Sequence, residues 1–295
     1  MGRTIAMHLS PRRLSAVLLS SLLMAAQGLA GQALVYQVSR DGGPPSYLAG
    51  TMHSEDPRVT GLLGELAPLV EQADIVALEM VPDAVTMLAV GAATLLPRDQ
   101  SLRRLIGDDR FDALMAAATQ RGLPLEVVDR LKPWAAAVML GMPAAETGRF
   151  LDMEIYLKAL AGQQRTVGLE TAAEQLAVFD AMTPAVQLVL LDEMVKNVRE
   201  LPRQMEGLTA AYLSGDLDRI DGVAREQYGD MPPAVRRWFD EYLLDRRNAR
   251  MLTRLSALLG EGTVFVAVGA LHLGGESGLI AGLRRLGYRV ERWQR

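Results

Sequence analysis

The sequence predicts an α/β fold in which both ends of the chain form one central mixed sheet and a large helical section lies between them. Apolar runs of strand length occur in residues 31–81 and 263–295, whereas apolar residues recur every three or four positions through residues 82–262. The strand-like runs are continuously apolar, which is typical of strands covered on both faces. We therefore expect residues 31–295 to form one domain with a helix-covered sheet.

The N-terminal part of this domain predicts a hairpin followed by a helix and a buried strand. Two apolar runs, "ALVYQVSR" and "YLAG", flank the turn-rich segment "DGGPPS", and glycine and proline commonly separate the strands of a hairpin. A helix is predicted from Gly61 to Gln72. The run "DIVALEM" then predicts a strand that is buried on both faces.

The middle section predicts helices with one interruption, and the C-terminal segment returns to strands. Helical periodicity is clearest in "LRRLIGDDRFDALMAAATQRG", "LDMEIYLKALAG" and "VRRWFDEYLLDRRNARMLTRLSALLG". Between the last two, "RTVGLE" predicts a further buried strand. The final segment predicts a strand in "TVFVAVGALH", a helix in "SGLIAGLRRLG" and a strand in "YRVERW".

Residues 1–30 predict a secretory signal peptide. Arginines precede the apolar run "LSAVLLSSLLMAA", and small residues follow it, which fits cleavage near Ala30 or Ala33. An uncleaved anchor is the alternative, although the run is shorter than the roughly 20 residues of a membrane span. We therefore expect a periplasmic or secreted protein with no stable membrane span after cleavage.

Composition and motifs exclude several classes of function. The 295-residue chain carries a net charge of -4, which gives no electrostatic surface for nucleic acid, so we expect no nucleic-acid partner. The chain has no cysteine, which excludes a cysteine nucleophile and any disulfide. A G-x-S-x-G motif is also absent from the sequence, which disfavours a serine hydrolase.

Four polar residues come at the ends of the predicted strands. His53 follows "YLAG", Glu79 ends "DIVALE", Glu170 ends "RTVGLE" and His272 follows "VFVAVG". Open parallel sheets bind their ligands in a crevice at the carboxyl ends of the strands. We therefore expect these four side chains to lie close together and to form a functional site.

The two histidines share a glycine-x-x-histidine motif, "GTMH" and "GALH". A glycine at this offset lets the chain turn at the strand end without a side chain that blocks the group the imidazole faces. Two imidazoles with one or two carboxylates suit a divalent metal such as zinc or manganese. The pattern predicts metal-assisted hydrolysis, with His53 and His272 as ligands and Glu79 as a ligand or as the general base.

Each of these residues also has a structural interpretation. A histidine at a strand end is often bonded to neighbouring backbone, and Glu79 could be held by an arginine. Glu170 precedes a helix start at which Thr171 and Glu174 would form a capping box. Arg247 lies in a charge-rich helical segment where most arginines are solvated, although an arginine facing the crevice could orient Glu79 or bind a substrate carboxylate.

Five segments occur in order across nearly the whole chain beyond residue 30: "YLAGTMHS", "ADIVALEM", "TVGLETAAEQL", "DRRNARM" and "FVAVGALHLGGESGLIAGLRRLGYRV". Together they resemble the TraB/PrgY/GumN family, which is related to the TIKI proteases and whose hallmark is a pair of glycine-x-x-histidine motifs. The resemblance implies a fold shared with erythromycin esterases and haem-binding ChaN proteins. It places family motifs on His53, Glu79, Arg247, Asn248 and His272, with Glu170 in a family-like "LET" segment.

The resemblance also implies metal-dependent proteolysis with a divalent cofactor, which could be manganese, cobalt or zinc. We therefore predict an exported metal-dependent hydrolase, specifically a peptidase, with Glu79, Glu170, Arg247 and Asn248 as catalytic residues and a peptide or small molecule as substrate. The alternative is a non-catalytic protein that sequesters a peptide or haem in the same crevice. Phe239 fits either a substrate groove or ordinary packing.

Overall fold

Six strands form one mixed sheet in the computed structural model, which describes residues 31–40, 42–142 and 146–294. The strands are β1 (Leu34–Ser39), β2 (Ser46–Thr51), β3 (Ile75–Leu78), β4 (Arg165–Gly168), β5 (Val264–Gly269) and β6 (Arg289–Arg292). Their order across the sheet is β4-β3-β5-β2-β1-β6. Strands β4, β3, β5 and β2 run parallel, whereas β1 is antiparallel to both β2 and β6. The predicted mixed α/β fold is confirmed, and the predicted signal peptide lies outside the described residues.

Helices connect these strands, and most of them come from the middle of the chain. The helices are α1 (Pro57–Thr60), α2 (Leu63–Gln72), α3 (Ala84–Ala93), α4 (Leu102–Ile106), α5 (Asp108–Gln120), α6 (Leu125–Val128), α7 (Pro133–Gly141), α8 (Leu151–Ala161), α9 (Ala172–Asp180), α10 (Pro184–Asn197), α11 (Leu201–Leu213), α12 (Leu217–Gly229), α13 (Pro233–Trp238), α14 (Arg246–Leu258) and α15 (Leu279–Arg285). A π-helix, Phe239–Asp245, joins α13 to α14, and a 3₁₀ turn, Ala270–His272, follows β5. Within the described ranges, no helix combines the length and apolarity needed to cross a membrane.

The predicted helix from Gly61 to Gln72 is confirmed as α2, and a short helix that was not predicted, α1, precedes it. Helix α1 begins earlier, at Pro57, because the Asp56 side chain accepts a hydrogen bond from the Arg58 N–H and proline is favoured in the first helical turn. Gly61 then ends α1, and α2 carries the rest of the predicted helix. This short helix has too few apolar residues to show a helical period, so its sequence alone suggests a loop.

The sheet strands build the main hydrophobic core. All four residues of β3 are buried, and so are the first five residues of β5. Ile155 of α8 and Met251 of α14 belong to the same buried cluster, as do apolar residues of α2, α11, α12 and α15. These strand sequences are continuously apolar because helices cover both faces of the sheet.

The helical section has a hydrophobic core of its own. Buried residues of α5, α7, α10 and α13 form a second cluster, which includes Phe111, Trp134, Leu191 and Trp238. Apolar packing between helices therefore stabilises this section independently of the sheet. Helix α14 packs instead in the cluster of the sheet, through Met251, Leu255 and Leu258.

The register of the parallel strands aligns their carboxyl ends at one edge of the sheet. Thr51, the last residue of β2, pairs with Gly269, the last residue of β5. Leu78 ends β3 and pairs with Ala267 on β5 and with Gly168 on β4. The residues that follow β2, β3, β4 and β5 therefore emerge at the same edge, as the sequence predicts.

Candidate active site at the strand ends

His272 and Glu79 face each other at the carboxyl edge of the sheet. Glu79 follows β3 directly, and His272 ends the 3₁₀ turn after β5. His272 Nε2 lies 3.7 Å from Glu79 Oε1, and only 6% of the His272 side chain is exposed. Because β3 and β5 are hydrogen-bonded neighbours, the strand order brings together two residues from opposite parts of the chain.

Asn248 orients the His272 ring. His272 Nδ1 lies 2.7 Å from Asn248 Oδ1, and both side chains are buried. With Oδ1 of this amide as the acceptor, the Nδ1–H of His272 donates, and the lone pair of the neutral ring is on Nε2. Burial lowers the pKa of His272 from its ordinary value of 6.5, which leaves the ring neutral at pH 7.

Three donors hold the Glu79 carboxylate. Oε1 accepts from the Gly269 N–H at 2.6 Å, and Oε2 accepts from Arg247 Nη2 at 2.6 Å and from Gln175 Nε2 at 3.1 Å. Burial alone would raise the pKa of Glu79, but His272, Arg247 and the Gly269 N–H lower it to about 2. Because His272 is neutral at pH 7, Arg247 is the charge that keeps Glu79 ionised at that pH.

Glu170 lies behind Arg247. Arg247 Nε donates to Glu170 Oε2 at 2.8 Å, and Arg250 Nε donates to Glu170 Oε1 at 3.0 Å. The Glu170 side chain is fully buried. Both of its oxygens are therefore occupied by arginines of α14, and it contacts the site through Arg247.

The capping box that the sequence indicates next to Glu170 also forms. The Thr171 hydroxyl accepts from the Glu174 N–H, and the Glu174 carboxylate accepts from the Thr171 N–H. This box begins α9. It is a local helix-start feature and leaves the Glu170 side chain free to bond α14.

His53 lies at the same edge, after β2, in a more open position. Its side chain is 51% exposed, and its ring contacts Phe150 in a tilted arrangement, with 3.5 Å between ring centroids and 40° between the ring planes. Its Nδ1 lies 3.9 Å from Asp152 Oδ2. Loss of solvation on its packed side lowers the pKa of His53 below its ordinary value, although Glu79 and Glu55 oppose this effect. The His53 ring is therefore also neutral at pH 7.

Asp152 is a site residue that the sequence did not reveal. It lies in the first turn of α8, where its Oδ1 accepts from the Thr51 hydroxyl at 2.5 Å. Burial raises the pKa of this carboxyl, and nearby Glu79 adds to the effect, to about 6. The available signal was only an acidic residue in the first turn of a predicted helix, which is common.

Close packing explains the glycines of the two glycine-x-x-histidine motifs. A Cβ on Gly50 would lie 2.6 Å from Leu34 Cδ2 and 3.2 Å from Ala270 Cα, and a Cβ on Gly269 would lie 3.1 Å from Glu79 Oε1. Neither glycine has a positive φ. Gly269 therefore leaves room for the group that the imidazole faces, as expected, whereas Gly50 allows β2 to approach the 3₁₀ turn.

An apolar cavity of about 290 Å³ adjoins these residues. Glu79, Arg247 and His272 lie on its wall beside apolar residues of α11, α12 and the π-helix. Phe239 is among these residues, so it lies beside the site, whereas the neighbouring Trp238 is buried in the second hydrophobic cluster. A larger cleft of about 800 Å³ shares no residue with the site.

The donors at this edge suit a divalent cation in their chemistry, although they are not gathered around one point. Across residues 31–40, 42–142 and 146–294, no three histidine, aspartate or glutamate side chains are arranged as a metal-binding group. The 3.7 Å between His272 Nε2 and Glu79 Oε1 is near the roughly 3.4 Å that separates two ligands of a tetrahedral ion. The lone pair on His272 Nε2 and the negative Oε1 of Glu79 repel each other, and a cation bound between them would remove this repulsion. A third ligand requires His53 or Asp152 to approach, which the exposed His53 ring permits.

The model of the TraB/PrgY/gumN family matches residues 34–292 of the chain. Metalloprotease TIKI1 of Danio rerio is 25% identical to the chain, over 87% of this chain and 62% of the relative. Metalloprotease TIKI1 of Xenopus tropicalis is also 25% identical, over 87% and 60%. Metalloprotease TIKI2 of Danio rerio is 25% identical, over 84% and 58%. The chain thus spans about three-fifths of the length of these relatives.

No solved structure shows a significant match to the chain. The family model, by contrast, covers all six strands of the sheet and both glycine-x-x-histidine motifs. The matched range also contains Glu79, Arg247 and Asn248, which meet His272 at the strand ends. The chain therefore belongs to the TraB/PrgY/gumN family.

Proposed function

We propose that this chain is a divalent-metal-dependent hydrolase that cleaves peptide bonds. The observation that carries the proposal is that the neutral His272 ring faces the ionised Glu79 carboxylate at the ends of adjacent strands, beside an apolar cavity, with the pair His53 and Asp152 at the same edge of the sheet. Neutral imidazole and ionised carboxylate are the protonation states in which these groups bind metals. The relatives named metalloproteases support the same reaction class.

In this proposal, His272, Glu79 and His53 hold the ion, which is manganese, cobalt or zinc. When bound, such an ion supplies a Lewis acid for the scissile carbonyl and lowers the pKa of a bound water toward neutrality. Arg247 keeps Glu79 ionised and fixed, and Asn248 keeps the lone pair of His272 on Nε2. Partners of this kind typically change metal affinity by 10- to 100-fold when they are removed.

Asp152 suits the role of general base better than Glu79. A general base works best when its pKa lies near the working pH. The pKa of Asp152 is about 6, whereas that of Glu79 is about 2. The Thr51 hydroxyl bonds Oδ1 of Asp152, and Oδ2 faces the His53 side of the site. We therefore assign proton transfer to Asp152 and binding of the ion to the negatively charged Glu79. Glu170 keeps Arg247 in its orientation.

Metal content and peptide cleavage together test the proposal. Purified protein is dialysed and analysed for bound metal, then incubated with a peptide mixture with and without chelator and with manganese, cobalt or zinc restored. A double variant, His53→Ala with His272→Ala, should lose both the metal and the cleavage. The control is Asp192→Asn, whose carboxylate pairs with Arg110 on the helical section and should change neither readout. Wild-type metal content in the double variant would refute the proposal.

The same crevice could instead sequester a ligand without turnover, and the same assay separates the two functions. Peptide that binds and survives incubation with each restored metal would favour a sequestering protein. Haem is tested by titration, since a Soret band that appears with the wild type and vanishes in either histidine variant would favour haem binding. Neither result is expected under the peptidase proposal.

We also propose that the protein is exported, on the evidence of the apolar N-terminal pattern in residues 1–30. Fractionation of the cells that make the protein should place it beyond the inner membrane. N-terminal sequencing of the recovered protein should begin near Ala30 or Ala33. A full-length protein retained in the membrane fraction would instead show that the segment acts as an anchor.

A further inference from the structure

We propose that the apolar cavity beside the candidate metal ligands is the specificity pocket of the enzyme, and that it receives one large apolar side chain of the substrate, such as leucine, methionine or phenylalanine. This inference rests on the proposed peptidase function and adds the class of residue that the enzyme selects. The cavity measures about 290 Å³, at the lower end of the range of about 300–1,000 Å³ for ligand pockets.

The position of the cavity links it to the reaction. Its wall includes Glu79, Arg247, His272 and Thr51, which are residues of the site or direct partners of them. A side chain in the cavity therefore belongs to a residue whose backbone lies against these groups. A peptide residue bound in this way is adjacent to the bond that the site would cleave.

The remaining wall of the cavity is mostly apolar, and five of its large apolar residues are only partly buried. Leu208, Phe239, Leu243, Leu244 and Leu271 each retain exposed surface there. Apolar surface that borders a reactive site and stays open to a ligand is the usual lining of a specificity pocket. An apolar side chain that enters would remove this surface from water.

Apart from His272 Nε2 and Glu79, which the proposed function assigns to the metal ion, the polar groups around the cavity are already engaged, so they offer little to a polar side chain. The Tyr212 hydroxyl donates to the Gly50 carbonyl at 2.8 Å, and the Thr51 hydroxyl donates to Asp152. Arg247 is committed to two carboxylates, one of which is Glu79. A charged or amide side chain in the cavity would give up its hydration without a new partner.

The π-helix explains how this wall is built. In a π-helix, hydrogen bonds join residues five positions apart, so the residues four and five positions on both lie over the first. Phe239 therefore shares one side of the helix with both Leu243 and Leu244, whereas an α-helix would turn one leucine away. The π-helix leads directly into α14, which carries Arg247 at its second residue. One continuous helical segment thus supplies both pocket wall and site residues, and π-helical turns are frequent at functional sites.

Leu244 is the best position for a test. It lines the cavity but belongs to neither hydrophobic cluster, so changing it disturbs packing less than changing Leu243, which packs on the second cluster. Leu244→Trp should fill the cavity, and Leu244→Ala should enlarge it. The matched control is Leu105→Trp, at a leucine that is 54% exposed and lies outside the cavity.

The substrates are octapeptides of glycine and serine with one variable residue, incubated with the metal-loaded full-length protein. Cleavage of the leucine peptide should exceed that of the alanine and aspartate peptides by about 10- to 100-fold in kcat/KM. Leu244→Trp should reduce that preference at least tenfold while still cleaving the alanine peptide, and Leu105→Trp should keep it. Equal cleavage of all the peptides, or a preference unchanged by Leu244→Trp, would overturn the inference.

A binding measurement distinguishes this inference from the peptidase proposal. The same peptides, labelled with a fluorophore, are titrated into the His53→Ala, His272→Ala double variant, with and without Leu244→Trp. If the metal-loaded wild type cleaves no peptide but the leucine peptide still binds the double variant more tightly than the others, and only when Leu244 is intact, the pocket exists and the peptidase proposal fails. If the leucine and aspartate peptides bind equally, the pocket assignment is wrong whatever the enzyme cleaves.

Discussion

Replacing Arg247 with methionine tests whether one arginine holds the two carboxylates of the site together. Arg247 Nη2 lies 2.6 Å from Glu79 Oε2 and 2.7 Å from Glu170 Oε2, and 7% of the arginine side chain is exposed. Methionine keeps an apolar stem of similar reach but has no charge. Glu79 would then lie near Glu170 without the cation that separates their charges.

We expect the variant to lose about 3–5 kcal/mol of unfolding free energy at pH 7, because a buried ion pair is broken by removal of one partner. The pKa of Glu79 gives a similar magnitude. Its shift from 4.5 to about 2 corresponds to about 3 kcal/mol at 1.36 kcal/mol per pKa unit, a total that His272, Arg247 and the Gly269 N–H share and that therefore bounds the part due to Arg247. Only 23% of the Glu79 side chain is exposed, so solvent screens this interaction weakly.

The loss should depend on pH in a defined direction. Because the folded-state pKa of Glu79 is depressed, its contribution to stability is complete above 4.5 and disappears as the pH falls toward 2. Without Arg247, burial opposes the ionised form of Glu79 more strongly, and the variant loses the part of this dependence that Arg247 supplies. The difference from wild type should therefore be largest near pH 7 and smaller at pH 3.5.

Urea denaturation followed by tryptophan fluorescence at pH 7 and pH 3.5 measures both effects. The control is Arg225→Met, which removes a surface pair with Asp221 in which the arginine is 57% exposed. Such a pair contributes about 0.3–0.5 kcal/mol. A deficit below about 1 kcal/mol for Arg247→Met, or one that is equal at the two pH values, would show that the arginine does not couple the carboxylates.

Four further predictions concern three neighbouring residues. Asn248→Leu leaves the buried His272 Nδ1–H without its acceptor, so binding of added zinc, measured by calorimetry, should weaken by about 10- to 100-fold. Asn248→Asp keeps an acceptor and should bind zinc more tightly than the leucine variant. Asp152→Asn should abolish the acid limb near pH 6 in the pH dependence of kcat/KM, and a limb that persists would assign it to another group. Because the folded-state pKa of Asp152 is raised, its ionisation lowers the free energy of unfolding as the pH rises from 3.8 through 6. In urea titrations, the stability of Asp152→Asn relative to wild type should therefore be up to about 3 kcal/mol greater at pH 8 than at pH 3. An equal difference at the two pH values would contradict the burial argument. Gly269→Ala places a Cβ 3.1 Å from Glu79 Oε1, so peptide cleavage should fall at least tenfold with little change in Tm, and unchanged cleavage would show that this carboxylate can move freely.

Local patterns in the sequence predicted the sheet and the edge at which the site lies. Continuous apolar runs marked the parallel strands, and the polar residues that end them emerge together because parallel strands share a direction. His272 and Glu79 meet as expected for neighbouring strands. Whether His53 binds a metal together with them remains a prediction, since in the structure His53 faces Asp152.

Contacts made by helices could not be predicted in the same way. Apolar periodicity identifies which face of a helix is buried, but not which residue of another helix or strand that face will meet. For this reason Asp152 was not recognised as a partner of Thr51, nor Glu170 as a buried partner of two arginines. Charged residues in a helical segment read as solvated until packing places them inside.

Residue patterns alone were enough to predict the sheet, the edge that carries the histidines, and the glycines that leave room beside them. These features follow from short-range patterns and from the common direction of parallel strands, which are both encoded locally. Three further properties became visible only in the folded protein: Arg247 helps to keep Glu79 ionised, Asp152 has a raised pKa, and a π-helix lines an apolar cavity. Those properties depend on burial and on distances between segments far apart in the chain, and such distances are fixed only when the helices pack.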